Sequence, residues 1–216
     1  MPLTFGGWVR TLDDIKQLLN AGVEKVSINT QAVRNSAFIK EAAEAFGSQS
    51  IIVSIDVKRG ANGEYEIFGE GGSHPTGMDP VEFSQCMEEY GAGEIFLNSI
   101  DRDGTMSGYD LELIKKVSMS VSIPVIACGG AGHPSDFLKV IHETEASAVA
   151  AGNIFHFSEH SPMLIKSFLR REGIDLRKAT SADYRDVSFM EDGRIGKRDE
   201  NYLEKLKYQV IREEVI

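Results

Sequence analysis

TFGGWVRTLDDIKQLLNAGVEKVSIN, residues 4–29, contains one complete folding unit. An apolar strand ends at Gly6-Gly7, Thr11-Leu12-Asp13-Asp14 opens an amphipathic helix, Gly22 stops it, and a second apolar strand follows. Thr ahead of a periodic apolar run caps a helix, and Gly just past the run ends it. A second stretch, ACGGAGHPSDFLKVIHETEASAVAAG (127–152), has the same layout. Aligned without gaps, the two superpose Gly6-Gly7 on Gly129-Gly130. They also match Asp13 with Asp136, Ile15 with Leu138, Leu18 with Ile141 and Val26 with Val149. Counted at about 30 residues per β/α unit, the copies start half a barrel apart, which predicts a duplicated half-barrel.

The rest of the chain keeps this rhythm. Strand-like runs fall at residues 3–7, 24–29, 51–57, 94–100, 124–130 and 147–153, with amphipathic helical segments between them. Near-continuous apolar strands alternating with helices predict a parallel sheet covered on its outside, hence an incomplete α/β barrel of about six β/α units. Between Lys58 and Asp79 the rhythm breaks, and ANGEY (61–65) predicts a glycine-turn hairpin inserted after the third strand. Residues 1–177 form the barrel part, and 178–216 form an extension that begins polar and ends in a helix-like charged run, with Leu203, Leu206, Val210 and Ile211 near helical spacing.

Composition narrows the function. The chain has 216 residues and a net charge of −10, which argues against binding a nucleic-acid backbone. Small anions remain open as ligands, because local backbone N–H groups hold a phosphate whatever the global charge. Cys86 and Cys128 lie far apart, the pattern of reduced intracellular thiols. No apolar run reaches the ~18–20 residues of a membrane span, and the start lacks the pattern of a signal peptide, so the expected location is the cytoplasm.

Ligands of a parallel barrel bind at the carboxyl ends of its strands. Two Gly-Gly turns there, each followed by a helix, predict two phosphate sites on opposite sides of the barrel mouth. Asp56 ends VSID (53–56) just before the inserted hairpin, so it reads as a cavity-facing general acid/base in preference to a helix cap. In the loop 101–110, Asp110 reads as the N-cap of LELIKK. Phe155 and Phe157 mark His156 as a packing position, and with His160 it makes a poor metal pair.

EKVSINT, FGSQSIIVSIDVKR, GAGEIFLNSIDRDGTMSGYD, IPVIACGGAG and AAGNIFHF resemble, in order and spacing from Leu3 to about Arg177, the cyclase subunit of imidazole glycerol phosphate synthase. The resemblance implies a (β/α)8 barrel that takes ammonia from a glutaminase partner. It further implies conversion of a bis-phosphorylated ribulosyl aminoimidazole-carboxamide nucleotide into imidazole glycerol phosphate and aminoimidazole carboxamide ribotide, in histidine biosynthesis, with no cofactor or metal. The wording of 98–110, 121–130 and 150–155 is similar also to a paralogous branch associated with surface-polysaccharide genes, which would supply ammonia to a sugar amidotransferase.

Carried over by residue, the resemblance makes Asp56 catalytic. It assigns Gly7, Asn29 and Thr30 to one phosphate and Gly129, Gly130, Ala151 and Gly152 to the other. Asp103 and Thr105 fall on the active-site loop, and Lys25 and Glu94 on the charged ammonia gate facing the glutaminase. Two departures stand out. The family's first two β/α units, which carry a second catalytic aspartate, have no counterpart here, and Trp8 occupies a position the family usually gives to glycine. Trp8 would intrude on the ligand or else cap an exposed core. A non-catalytic glutaminase-docking subunit, a fragment begun at an internal methionine, and self-association through an open barrel edge are the competing expectations.

Overall fold

The computed structural model describes residues 2–60, 62–157 and 162–176, with positions 188, 190 and 196 besides. Apart from those three positions, the expected extension beyond residue 177, with its apolar periodicity, lies outside the described residues, as does His160. Six parallel strands form the main path: β1 (Thr4–Gly6), β2 (Lys25–Ile28), β3 (Ile51–Arg59), β6 (Glu94–Ser99), β7 (Val125–Cys128) and β8 (Ala148–Val149), hydrogen-bonded in that order. Among the described residues, β1 and β8 are the two edges of that path. Each strand leads into helix: α1 (Leu12–Asn20), α2 and α3 (Thr30–Arg34, Ala37–Phe46), α4 (Pro80–Glu89), α5 (Leu111–Ser118), α6 (Pro134–Glu143), and α7 and α8 (Asn153–Phe157, Pro162–Arg171). Strand–helix alternation in a parallel sheet with two edges is the incomplete α/β barrel of about six units expected from the sequence.

The core lies between strands and helices. Ile51, Val53, Ile55, Ile95 and Leu97 of the central strands are fully shielded, as are Ile15, Ile39, Met87 and Val140 of the covering helices. Helix ends follow local chemistry. Thr11 and Asp14 form a capping box on α1, Asp79 accepts from the N–H groups of Val81 and Glu82, and Asp110 accepts from that of Leu113. The reading of Asp110 as an N-cap thus holds.

The internal repeat survives with a correction. α6 carries its own capping box, made by His133 and Asp136. Asp136 is therefore the counterpart of Asp14, not of Asp13, and buried Phe137 that of buried Ile15. Strand pairing shifts too, joining Thr4 to Lys25 in one copy but Ala127 to Val149 in the other, one residue further apart.

β3 is the strand that positions the site. Its first half pairs with β2, from Val26↔Ile51 to Ile28↔Val53. From Asp56↔Phe68 to Arg59↔Tyr65 it pairs instead with antiparallel β4 (Tyr65–Gly69), and short β5 (His74–Pro75) adds to β4. The inserted hairpin is thus a continuation of β3 itself. It is fastened to α5 by Tyr65, whose hydroxyl donates to Asp110 at 2.8 Å, and by Arg59, which pairs with Glu112 at 2.6 Å and stacks on the Tyr65 ring. Burial and the Asp110 bond push the Tyr65 phenol up to about 12.

Candidate active site

Between Val53, the last β3 residue paired to β2, and Asp56, the first paired to β4, the edge of β3 has a short gap. Asn29, just after β2, fills it: its Nδ2 donates to the Ser54 carbonyl at 3.0 Å and to Asp56 Oδ2 at 3.3 Å. From the other side Asn98 of β6 donates its Nδ2 to Asp56 Oδ1 at 3.0 Å. The two carboxylate oxygens are thereby held by two amides. Burial raises the Asp56 pKa above the usual carboxylate value, the Asn98 bond works against this, and the negative charge of Asp103 adds to it. A partly desolvated carboxylate in a fixed plane is suited to taking up and releasing a proton.

Asp56 opens onto a cleft of about 690 Å³ whose walls include Gly6, Gly7, Trp8, Asn29, Thr30 and Arg34. This brings the expected residues Gly7, Asn29, Thr30 and Asp56 into one space. The chain continues from the Gly6-Gly7 turn with Trp8, whose φ of +61° is a left-handed conformation that bulky residues seldom adopt. Trp8 is 87% exposed, with the Arg10 guanidinium 5.3 Å from its ring. Trp8 therefore does not cap a core. It stands at the wall of the cleft.

The other expected residues lie elsewhere on the same rim. Gly129 and Gly130 follow β7 with φ of +95° and +102°, and Ala151 and Gly152 follow β8. A Cβ on Gly130 would come within 2.3 Å of the Gly108 carbonyl, so only glycine lets the turn after β7 meet the loop after β6. A Cβ on Gly152 would meet nothing within 4 Å, so that backbone is approachable. Gly129, Gly130, Ala151 and Gly152 are not among the residues lining the Asp56 cleft. Asp103 and Thr105 sit on the β6–α5 loop, where Thr105 Oγ1 is spent on the Arg102 carbonyl at 2.7 Å. Cys128, at the end of β7, has its thiol pushed up to about 11 by burial and by the charges of Asp103 and Asp56. At the opposite pole Lys25 and Glu94, which begin β2 and β6, form an ion pair.

Three features escaped the sequence reading. Asn98 is in register with Asp56 but 42 positions away, and the one available signal was a polar residue inside an apolar strand. Arg34 and Glu70 pair across the cleft wall, joining α2 to the turn after β4. His156, expected to pack, is exposed, and the buried residue of α7 is Ile154. In a helix that short, the face toward the core is set by where the strand before it ends.

The family model described as "Histidine biosynthesis protein" matches residues 1–161. The chain belongs to this family. It is 46% identical over 178 residues to the imidazole glycerol phosphate synthase subunit HisF of Alkaliphilus metalliredigens, an alignment covering 82% of the chain and 71% of that relative. Among the described residues no group of three or more His, Cys, Asp or Glu is placed to hold a metal ion, and no helix is long and apolar enough to cross a membrane.

Proposed function

We propose that the protein is a cyclase subunit of the imidazole glycerol phosphate synthase type. It uses ammonia to close an imidazole ring on a bis-phosphorylated nucleotide, with release of an aminoimidazole carboxamide ribotide. The observation that carries this reading is Asp56, a carboxylate of raised pKa held by Asn29 and Asn98 in a cleft beside a glycine turn, in a chain 46% identical to a HisF subunit. Ring closure needs protons removed from and returned to nitrogen and oxygen, and Asp56 is the general acid/base for these transfers.

Backbone N–H groups at Gly7, Asn29 and Thr30 hold one phosphate. Those at Gly129, Gly130, Ala151 and Gly152 hold the other. Asp103 and Thr105 belong to the loop that covers the reacting atoms. The Lys25–Glu94 pair marks the ammonia entrance, and a cytoplasmic glutaminase subunit docks on that pole to form a heterodimer.

The test is ammonium-driven turnover by the purified chain, with product followed by absorbance or mass. Asp56→Asn is expected to lower kcat/KM by about a hundredfold or more. Undiminished turnover in that variant removes Asp56 from the mechanism.

A further inference from the structure

Asn29 and Asn98 both point an amide nitrogen at Asp56, but they are not held alike. Asn29 Nδ2 also donates to the Ser54 carbonyl, a group that can only accept, so its amide has one workable orientation. Asn98 has no second anchor: its Oδ1 is buried and, among the described residues, has no hydrogen-bond partner. Leaving a buried amide oxygen unpaired is costly. Turning the amide over would not help while Asp56 is ionised, since two acceptors would then face each other. A protonated carboxyl reverses that preference, because its O–H can donate to an amide oxygen.

We propose that Asn98 is a positioning residue for Asp56, whose amide presents Nδ2 to the ionised carboxylate and turns to present Oδ1 to the protonated acid. The proposal rests on the general acid/base reading of Asp56. The proton itself passes between Asp56 and the reacting ligand; Asn98 forms and breaks only hydrogen bonds. A general acid/base must occupy both protonation states in each turnover, and a partner able to satisfy both keeps the carboxyl in one plane throughout. Of the two amides, only Asn98 is free to turn. The charged and titratable groups facing Asp56 are Asp103 on the β6–α5 loop, Cys128 on β7, and Arg10, Arg34 and Glu70 around the cleft.

The test titrates Asp56 directly, by the ¹³C signal of its carboxyl carbon in the full chain, assigned with Asp56→Asn. In Asn98→Leu the Asp56 midpoint is expected to move up by about 0.5 pH unit, since the charge-assisted bond to the ionised form is stronger than the bond to the neutral acid and more is lost from the former. In Asn98→Asp two adjoining carboxylates should titrate in two coupled steps, one higher still. The acidic limb of ammonium-driven kcat/KM should move up with the midpoint, kcat falling about tenfold while KM stays within about twofold. A purely structural role would lower melting temperature without moving the limb. Unchanged Asp56 midpoints in folded Asn98→Leu and Asn98→Asp would overturn the proposal. If Asn98→Leu fails to fold, the isosteric Asn98→Asp decides alone. Undiminished turnover in Asp56→Asn would instead sink the acid/base reading, and the titration reports separately on Asn98.

Discussion

Lys25 and Glu94 meet across an intervening strand. They begin β2 and β6, which flank β3, and their side chains pair over the amino-terminal end of β3. With side chains 34% and 20% exposed, the pair contributes at most about 1 kcal/mol to stability. Glu94→Gln should therefore leave the unfolding free energy within about 1 kcal/mol of the parent, as measured in urea. If the pair guards the ammonia entrance, the same variant should keep ammonium-driven turnover and lose glutamine-driven turnover with a glutaminase present. Equal loss of both would place the pair outside that role.

Asp56 predicts a pH-dependent stability difference. Its folded pKa lies above the ordinary 3.8, chiefly through burial. Between those two values the native state keeps a proton that the unfolded chain has released, so stability falls as pH rises through that window and stays reduced at neutral pH. Asp56→Asn removes the buried charge, and a turned Asn98 can accept from the new amide. The variant should melt at or above the parent near pH 7, the gap closing toward pH 3. Thermal melts across that range check it; a variant less stable at pH 7 than at pH 3, relative to the parent, contradicts it.

The glycines proposed to hold the second phosphate should separate into two classes. Gly130→Ala puts a Cβ 2.3 Å from the Gly108 carbonyl at a φ of +102°, and should destabilise by about 3 kcal/mol or more. Gly152→Ala meets open space and should change stability by less than about 0.5 kcal/mol. Gly152→Val should weaken substrate binding with folding intact, because the added bulk stands where an anion would approach. Denaturant midpoints and KM values separate the two effects.

Trp8 is the single tryptophan of the chain, so its fluorescence reports on the cleft alone. At 87% exposure it should emit like indole in water and be quenched freely by acrylamide. A phosphorylated ligand bound beside Gly7 should reduce that quenching. Trp8→Gly relieves a left-handed backbone worth about 1–2 kcal/mol and loses the Arg10 contact, worth about 0.5–1 kcal/mol. The net change should be a gain of about 1 kcal/mol or less. An emission already shielded without ligand would contradict the structure.

The barrel architecture was legible because each strand and helix carries its own period and most helix ends their own caps. The one-residue shift in the repeat was not, since His133 is a rare capping residue and an ungapped alignment favoured Asp13 over Asp14. Asp56 stood out as a carboxylate closing an apolar run. Its partner Asn98 did not, because only sheet order and register bring β3 beside β6. Trp8 was recognised as unusual, but no periodicity tells whether an indole points inward or out.

β3 changes partners at Asp56: the residue is in register with Phe68 on one edge and Asn98 on the other, at the junction of an antiparallel and a parallel ladder. Few backbone positions are bound on both sides by ladders of opposite sense. The backbone that carries this carboxyl is consequently among the last expected to shift when neighbouring loops are rebuilt. Lineages of this fold could then replace loops 70–73 and 101–108 while inheriting Asp56 and its setting unaltered. Hydrogen–deuterium exchange should show Asp56 and Val57 among the slowest amides even in loop-swapped chains.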